Sequence, residues 1–149
     1  MQKITTFLTF DDQAEAAAAH YASIFKSSKI VSTSGPPGAV MAVTFELEGQ
    51  RFIALNGGPS FSFSQGISLF VSCETQDEID ALWDQLCAGG TPGRCGWLTD
   101  KFGVSWQVVP PVLGELLGHP DRATSQRVLQ AMLQMSKLDI ATLQRAARG

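Results

Sequence analysis

The segment Cys95–Pro111, CGWLTDKFGVSWQVVPP, contains the residue types of this chain that could most readily do chemistry. A cysteine nucleophile needs a base or a positive charge beside it, and Arg94 is the only adjacent candidate. We therefore interpret Cys95 as a small packing residue. Asp100–Gly103 is typical of a hairpin turn. The alternating run Val104–Val109, which ends at two prolines, predicts a final core strand.

Other reactive residue types have structural explanations. Asp11 and Asp12 could form a paired acid site, but Asp12 and Glu15 fit a helix capping box, with Asp12 as the N-cap. His20 is expected on a helix as a half-buried packing residue. The three cysteines are not at metal-ligand spacing, and two histidines are too few for an all-histidine metal site in one chain.

The composition excludes several classes of protein. A chain of 149 residues with 44% hydrophobic and 17% charged residues predicts one globular domain. No apolar run reaches the roughly 20 residues of a membrane span, and the N-terminus lacks the features of a signal peptide, so we expect a cytoplasmic protein. Residues 119–149 carry five Lys or Arg and two Asp. These basic residues are not interleaved with aromatic residues, which argues against a nucleic-acid partner.

The elements that must position a site form a repeated pattern. The strand Ile4–Phe10 precedes a helix reaching about Phe25, and three further strands are predicted at 28–34, 40–47 and 51–56. The helix is expected to bury one face, formed by Ala16, Ala19, Ser23 and Ile24. A Gly-, Pro- and Ser-rich loop, Asn56–Gly66, follows. The pattern then begins again with the strand Ile67–Cys73.

The second half repeats the first at an offset of 63 residues, which places Phe10 on Cys73 and Asp12 on Thr75. Thr75 and Glu78 form another capping box. The second helix carries an apolar face, formed by Ile79, Leu82, Trp83 and Leu86. This repeat predicts two βαβββ modules. In the tail, Asp121 and Asp139 are expected to cap two helices, and Met132 and Met135 are expected to pack in a core or an interface.

Strand alternation separates side chains onto two faces, and one face of each strand suits packing against a helix. The other face is small, polar and aromatic. If the two sheets curve together, this second set lines one concavity with a composition that suits a ligand pocket. The candidate pocket residues are Thr5, Phe7, Ala54, Asn56, Ser68, Phe70, Ser105 and Gln107. The alternative is a sheet face covered by solvent or by the tail helices.

Five segments carry a resemblance to a known family: TFLTFDDQAEAAAAHYASIF, FIALNGGPSFSFSQGISLFVSC, DEIDALWDQL, CGWLTDKFGVSWQVVP and VLQAMLQMSKLDIATLQRA. They cover nearly the whole chain and resemble the PhnB-like family, often labelled 3-demethylubiquinone-9 3-methyltransferase domains. That family lies in the vicinal oxygen chelate superfamily of glyoxalase I, extradiol dioxygenases, and bleomycin- and fosfomycin-resistance proteins. The resemblance implies an α+β fold of two βαβββ modules forming a cup-shaped mixed sheet, followed by C-terminal helices. It also implies a homodimer.

The resemblance also implies where a metal would bind, because active members use His or Glu at four strand positions. These positions fall near Thr5, Ala54, Ser68 and Gln107, and none is a good ligand without carboxylates beside it. We therefore expect no catalytic metal. A methyltransferase would place a Gly-rich turn before a helix, whereas Asn56-Gly57-Gly58-Pro59 leads into the Ser- and Phe-rich loop. We expect no cofactor.

The sequence therefore predicts a single domain divided into residues 1–56, 57–66, 67–111 and 112–149: first module, linker, second module and helical tail. It predicts binding of a small aromatic or amphipathic molecule in the concavity, with no membrane or nucleic-acid partner. Phe7, Phe70 and Gln107 would shape the pocket, while Thr5, Ser68 and Ser105 would orient polar groups. Three alternatives stay open: a metal-dependent enzyme with an atypical oxygen site, a methyltransferase, and a structural or regulatory dimer without a ligand.

Overall fold

The structure, a computed structural model, describes residues 2–149 and contains two four-stranded sheets and five helices in that range. The first βαβββ module consists of β1 (Thr6–Phe10), α1 (Ala14–Ile24), β2 (Lys29–Ser34), β3 (Ala42–Leu47) and β4 (Gln50–Asn56). Its strand order is β1-β4-β3-β2, in which β1 and β4 are parallel and the other pairs are antiparallel.

The second module repeats this topology. It consists of β5 (Leu69–Ser72), α2 (Gln76–Cys87), β6 (Thr91–Pro92), β7 (Trp97–Thr99) and β8 (Ser105–Val109). The strand order is β5-β8-β7-β6, again with one parallel pair, β5 and β8. The predicted α+β class with two βαβββ modules is therefore confirmed. The chain forms two compact units, Met1–Ser62 and Phe63–Gly149, divided inside the predicted linker.

Helix α1 differs from the prediction in both its cap and its buried face. Its N-cap is Gln13 and not Asp12, and the Gln13 side chain makes no capping hydrogen bond. Instead the Ala14 N–H donates to Asn56 Oδ1 at 2.8 Å. The predicted face is wrong because an alanine-rich helix has little contrast between its apolar and polar faces. The helix instead buries Tyr21, whose ring centroid lies 6.3 Å from that of Phe45. The buried residues are Ala14, Ala17, Ala18 and Tyr21.

Helix α2 follows the prediction. The Thr75 side chain accepts a hydrogen bond from the Glu78 N–H at 3.2 Å, which satisfies one of the unpaired N–H groups at the helix start. Ile79, Trp83 and Leu86 are buried, so the apolar stripe faces the core of the second unit. This helix has a clear contrast between apolar and charged faces, which is why its sequence was sufficient to orient it.

Three tail helices complete the second unit: α3 (Pro111–Leu117), α4 (Arg122–Leu133) and α5 (Ile140–Arg148). They bury an apolar cluster that includes Val109 of β8, and Met132 and Met135 pack against it, as predicted. Asp139 caps α5 by accepting from the Thr142 N–H at 2.8 Å. Asp121 is the N-cap of α4 and accepts from the Thr124 hydroxyl at 2.7 Å. Both predicted starting residues are confirmed.

The tail is fixed to α2 by polar contacts as well. The Gln76 side chain donates to the Leu138 carbonyl at 3.0 Å and accepts from the Ile140 N–H at 2.8 Å. Lys137 Nζ lies 2.8 Å from Asp80 Oδ1. The C-terminal helices are therefore part of the second unit. Among residues 2–149, no helix is both long enough and apolar enough to span a membrane.

Candidate functional site

The open face of the second sheet brings together four of the eight predicted site residues. Phe70 of β5 and Trp97 of β7 both pair with Gln107 of β8, so the three side chains point to one face with Gln107 in the middle. The residues on the opposite face, Leu69, Leu98 and Trp106, also pair with one another in register. Leu98 and Trp106 are buried, each 2% exposed.

Gln107 is held in a defined orientation on this open face. Its Nε2 donates to the Ser68 hydroxyl at 3.0 Å. Within residues 2–149 its Oε1 accepts no hydrogen bond, so this oxygen can receive a donor from a ligand. Phe70 beside it, on the edge strand β5, is 61% exposed, so its ring is open to a ligand. A carboxamide acceptor between two aromatic side chains can bind a planar ring that carries an O–H or N–H group.

Ser105 lies on this same face by its pairing with Thr99, but it is only 3% exposed. Sequence reasoning did not select Trp97. The hairpin turn at Asp100–Gly103 could have identified Trp97 as a site residue, because that turn sets the register in which Trp97 pairs with Gln107. The turn itself is confirmed by the Gly103 N–H, which donates to the Asp100 carbonyl at 3.0 Å.

In the first unit, the register separates the predicted site residues onto two faces. Phe7, which is 53% exposed, pairs with Ile53, whereas Ala54 pairs with Leu8 and is fully buried. Asn56 pairs with Phe10 on that same buried side. The facing of Ala54 and Asn56 therefore differs from the prediction. The cause is that the β3–β4 hairpin alternates apolar residues on both faces, so its pattern did not indicate which face α1 covers.

Thr5 lies one residue before β1 and is half-buried. Asn56 has a structural role, since its Oδ1 accepts from the Ala14 N–H and its Nδ2 donates to the Val40 carbonyl at 3.0 Å. Both ends of its carboxamide are therefore engaged within the first unit.

The Asn56-Gly57-Gly58-Pro59 segment closes the end of β1. The Gly57 N–H donates to the Phe10 carbonyl at 2.7 Å, and the Gly58 N–H donates to the Asp11 carbonyl at 3.1 Å. A Cβ at Gly57 would lie 2.5 Å from Thr9 Cγ2, so only glycine fits there. No helix begins between this segment and β5. The glycine N–H groups are thus used inside the protein, and the segment does not fit the phosphate- or cofactor-binding turn of a nucleotide-type fold.

The donor set does not fit the metal site that the resemblance implies. Ser68 and Gln107 do lie beside each other, but Ala54 faces the buried side of the first sheet. Nowhere in the described part of the chain do three or more His, Cys, Asp or Glu side chains lie close enough together to hold a metal ion. Hydroxyl and amide oxygens alone are weak ligands for a divalent cation.

Two of the three cysteines, Cys73 and Cys87, are in environments that favour the thiol. Burial and the nearby Glu78 carboxylate raise the pKa of Cys73 to about 11, and burial with Asp84 raises the pKa of Cys87. Cys95 has a positive φ of 59°, its N–H donates to the Met135 carbonyl at 2.9 Å, and its Sγ lies 3.6 Å from the Met132 carbonyl oxygen. Cys95 therefore holds the tail in place, in agreement with the packing role predicted for it.

An apolar groove of about 380 Å³ opens where the second sheet meets α3. We name it the α3 groove, and its lining residues are Phe70, Ser72, Val109, Pro110, Pro111, Leu113, Gly114 and Leu117. Sequence reasoning missed it, because strand alternation does not show where a following helix packs. Phe70 belongs to both the open face and the groove.

Comparison with known proteins gives a consistent result. The family model described as 3-demethylubiquinone-9 3-methyltransferase matches residues 2–109. A PhnB protein from Bacillus cereus is 38% identical, with a TM-score of 0.69, and the match covers 73% of this chain and 99% of that one. No curated protein matches the chain by sequence.

Two more distant structures share the fold. Protein PA1353 from Pseudomonas aeruginosa is 19% identical, with a TM-score of 0.62, over 74% of this chain and 98% of its own. The fosfomycin resistance protein FosX from Listeria monocytogenes, solved with Mn(II) and sulfate, is 16% identical, with a TM-score of 0.54, over 72% of this chain and 92% of its own.

Proposed function

This chain belongs to the 3-demethylubiquinone-9 3-methyltransferase family of PhnB-like proteins, with a glyoxalase/bleomycin resistance-type fold, and on that basis we propose that it binds a small aromatic or amphipathic molecule. The ligand lies on the open face of the second sheet, over Gln107 and between Phe70 and Trp97. Ser68 holds the Gln107 carboxamide that orients its polar groups, and Ser105, which is only 3% exposed, stays a prediction as a site residue. Phe7 and Thr5 of the first unit stay predictions as site residues.

The observation that carries this proposal is the Gln107 side chain. It is fixed by Ser68 at 3.0 Å, has an aromatic residue on each neighbouring strand, and keeps a carboxamide oxygen for a ligand. An exposed phenylalanine beside an oriented polar group is a combination that a small aromatic ligand can use for both stacking and hydrogen bonding. Polar groups at fixed positions among aromatic walls are typical of small-molecule sites.

A binding screen tests the proposal directly. Trp97 is half-buried on the open face, whereas Trp83 and Trp106 are buried in the core, so ligand binding should quench the Trp97 fluorescence. We expect saturable quenching by members of a panel of phenols, indoles and aromatic acids. Phe70→Ala should weaken binding about tenfold, from the loss of ring stacking. Phe61→Ala, at the similar exposure of 56%, is the matched control and should leave binding unchanged.

The family name itself favours one alternative, a methyl transfer, and the superfamily favours another, a metal-dependent reaction. Thermal melts with S-adenosylmethionine, and elemental analysis after dialysis, separate both from our proposal. We expect no shift with S-adenosylmethionine and no stoichiometric Ni, Zn, Mn or Fe. A melt raised by micromolar S-adenosylmethionine, or one metal per chain, would overturn the binding-only function. We further propose that the protein is a cytoplasmic homodimer.

A further inference from the structure

We infer that the ligand is an amphipathic molecule with a hydrogen-bond donor on a planar ring and a neutral hydrocarbon chain, and that this chain occupies the α3 groove. The inference rests on the proposed function and specifies the class of ligand. The groove, its chemistry and its position relative to Gln107 each support it.

The α3 groove depends on the part of the protein beyond the family match. The family model ends at residue 109, and five of the eight lining residues follow that position: Pro110, Pro111, Leu113, Gly114 and Leu117. The other three come from β5 and β8. The matched region forms the sheet face by itself, and the residues after 109 add an apolar surface beside it. This is where specificity particular to this protein is expected.

The lining of the α3 groove selects an uncharged, apolar occupant. Among the described residues that line it, Ser72 supplies the only polar side chain and none is ionisable. A charged or strongly polar group would lose its hydration there without compensation. The groove volume of about 380 Å³ lies at the lower end of the range for small-ligand sites. A short hydrocarbon chain fits both requirements.

The groove is continuous with the Gln107 site. Phe70 pairs with Gln107, and two residues further along the same strands Ser72 pairs with Val109. Two residues of a strand span about 7 Å, so a ring over Gln107 can extend a chain of a few carbons past Phe70 into the groove. One Gln107 N–H is engaged by Ser68 and Oε1 accepts no hydrogen bond among the described residues, so the ring presents a donor to Oε1. A para-alkylphenol is the simplest molecule with these features.

Calorimetry and Trp97 fluorescence test the inference with three probe molecules and two variants. The probes are para-ethylphenol, para-hexylphenol and para-hexylanisole, and the variants are Gln107→Met and Gly114→Leu. Each buried methylene should tighten binding by up to about fourfold. We expect para-hexylphenol to bind at least about tenfold more tightly than para-ethylphenol. We also expect it to bind about tenfold more tightly than para-hexylanisole, which has no donor for Gln107. Gln107→Met should abolish the preference for the phenol over the anisole.

Gly114→Leu fills the groove without disturbing the fold, because nothing lies within 4 Å of a Cβ at Gly114 and leucine favours a helix. It should remove the advantage of para-hexylphenol and leave para-ethylphenol binding unchanged. Ala123→Leu, at an exposed position of α4 outside the groove, is the matched control and should keep that advantage.

The outcomes distinguish this inference from the proposed function. If the phenols bind but chain length has no effect, or if Gly114→Leu does not change it, the inference fails and the proposed function stands. If none of the three probes and no member of the wider panel binds, both fail. A change of oligomeric mass in Gly114→Leu would show that a second copy occupies the groove, which also overturns the inference.

Discussion

At the scale of single residues, Asp100 joins the β7–β8 turn to the core of the second unit. Its Oδ1 accepts from the Phe102 and Val104 N–H groups at 2.9 and 3.0 Å, and its Oδ2 accepts from Trp106 Nε1 at 2.8 Å. The residue is 3% exposed. The conspicuous D-K-F-G-V-S-W run thus contains a hydrogen-bond network, centred on the buried Asp100, that fixes the register in which Trp97 pairs with Gln107.

We expect Asp100→Ala to lower the free energy of unfolding by about 3 kcal/mol, because buried donors lose a charged acceptor. Urea denaturation followed by tryptophan fluorescence measures this. Asp84→Ala, at an exposed position of α2, is the control and should change stability by less than about 0.5 kcal/mol. Equal effects for the two variants would contradict a structural role for Asp100.

The candidate site was predictable from sequence in the second sheet and only partly in the first. In β5 and β8 the polar residues alternate with apolar ones, so Ser68, Phe70 and Gln107 were assigned to one face. Phe70 pairs with Gln107 in register, and Ser68 accepts a hydrogen bond from Gln107. In β4 both faces are apolar, and alternation alone placed Ala54 and Asn56 wrongly. The role of Asn56 at the start of α1 depends on a contact 42 residues apart in sequence, which no local pattern contains.

At the scale of elements, the tail is the part of the protein whose docking should respond to acid. The Thr142 N–H and hydroxyl lower the pKa of Asp139 below its ordinary value of 3.8, and Thr124 lowers the pKa of Asp121. Lys137 and Gln76 lower the pKa of Asp80. Because these pKa values are lower in the folded state, the stability they contribute is present above the ordinary aspartate pKa and is lost as the pH falls through the folded values.

We therefore expect the urea midpoint of the protein to fall as the pH is lowered from about 5 to about 3. Asp139→Asn should lower the midpoint at the higher pH and reduce its dependence on pH, because the titrating cap is removed. Asp77→Asn, at an exposed position near the start of α2, is the control and should leave that dependence as it is. A pH profile that is identical in the wild type and Asp139→Asn would contradict the assignment.

At the scale of the whole molecule, the internal repeat was enough to predict the architecture but not its details. The first strands of the two modules, β1 and β5, do correspond at an offset of 63, and Phe10 and Cys73 are both buried. The buried helix positions correspond instead at an offset of 65, which relates Ala14, Ala18 and Tyr21 to Ile79, Trp83 and Leu86. Each helix is free to rotate over its sheet, so packing, and not the repeat, sets which residues it buries.

The exposed apolar surface of the described chain supports the proposed homodimer. Phe7 is 53% exposed, and both its register partner Ile53 and Leu55, two residues further along β4, are only half-buried, which leaves an apolar patch on the first sheet. Contiguous patches of this kind are typical of surfaces covered by a partner or a ligand. Light scattering coupled to size exclusion should give about 32 kDa, twice the 16.0 kDa of one chain, for the ligand-free protein. A mass of one chain at every concentration would show that the patch is not covered by a second copy.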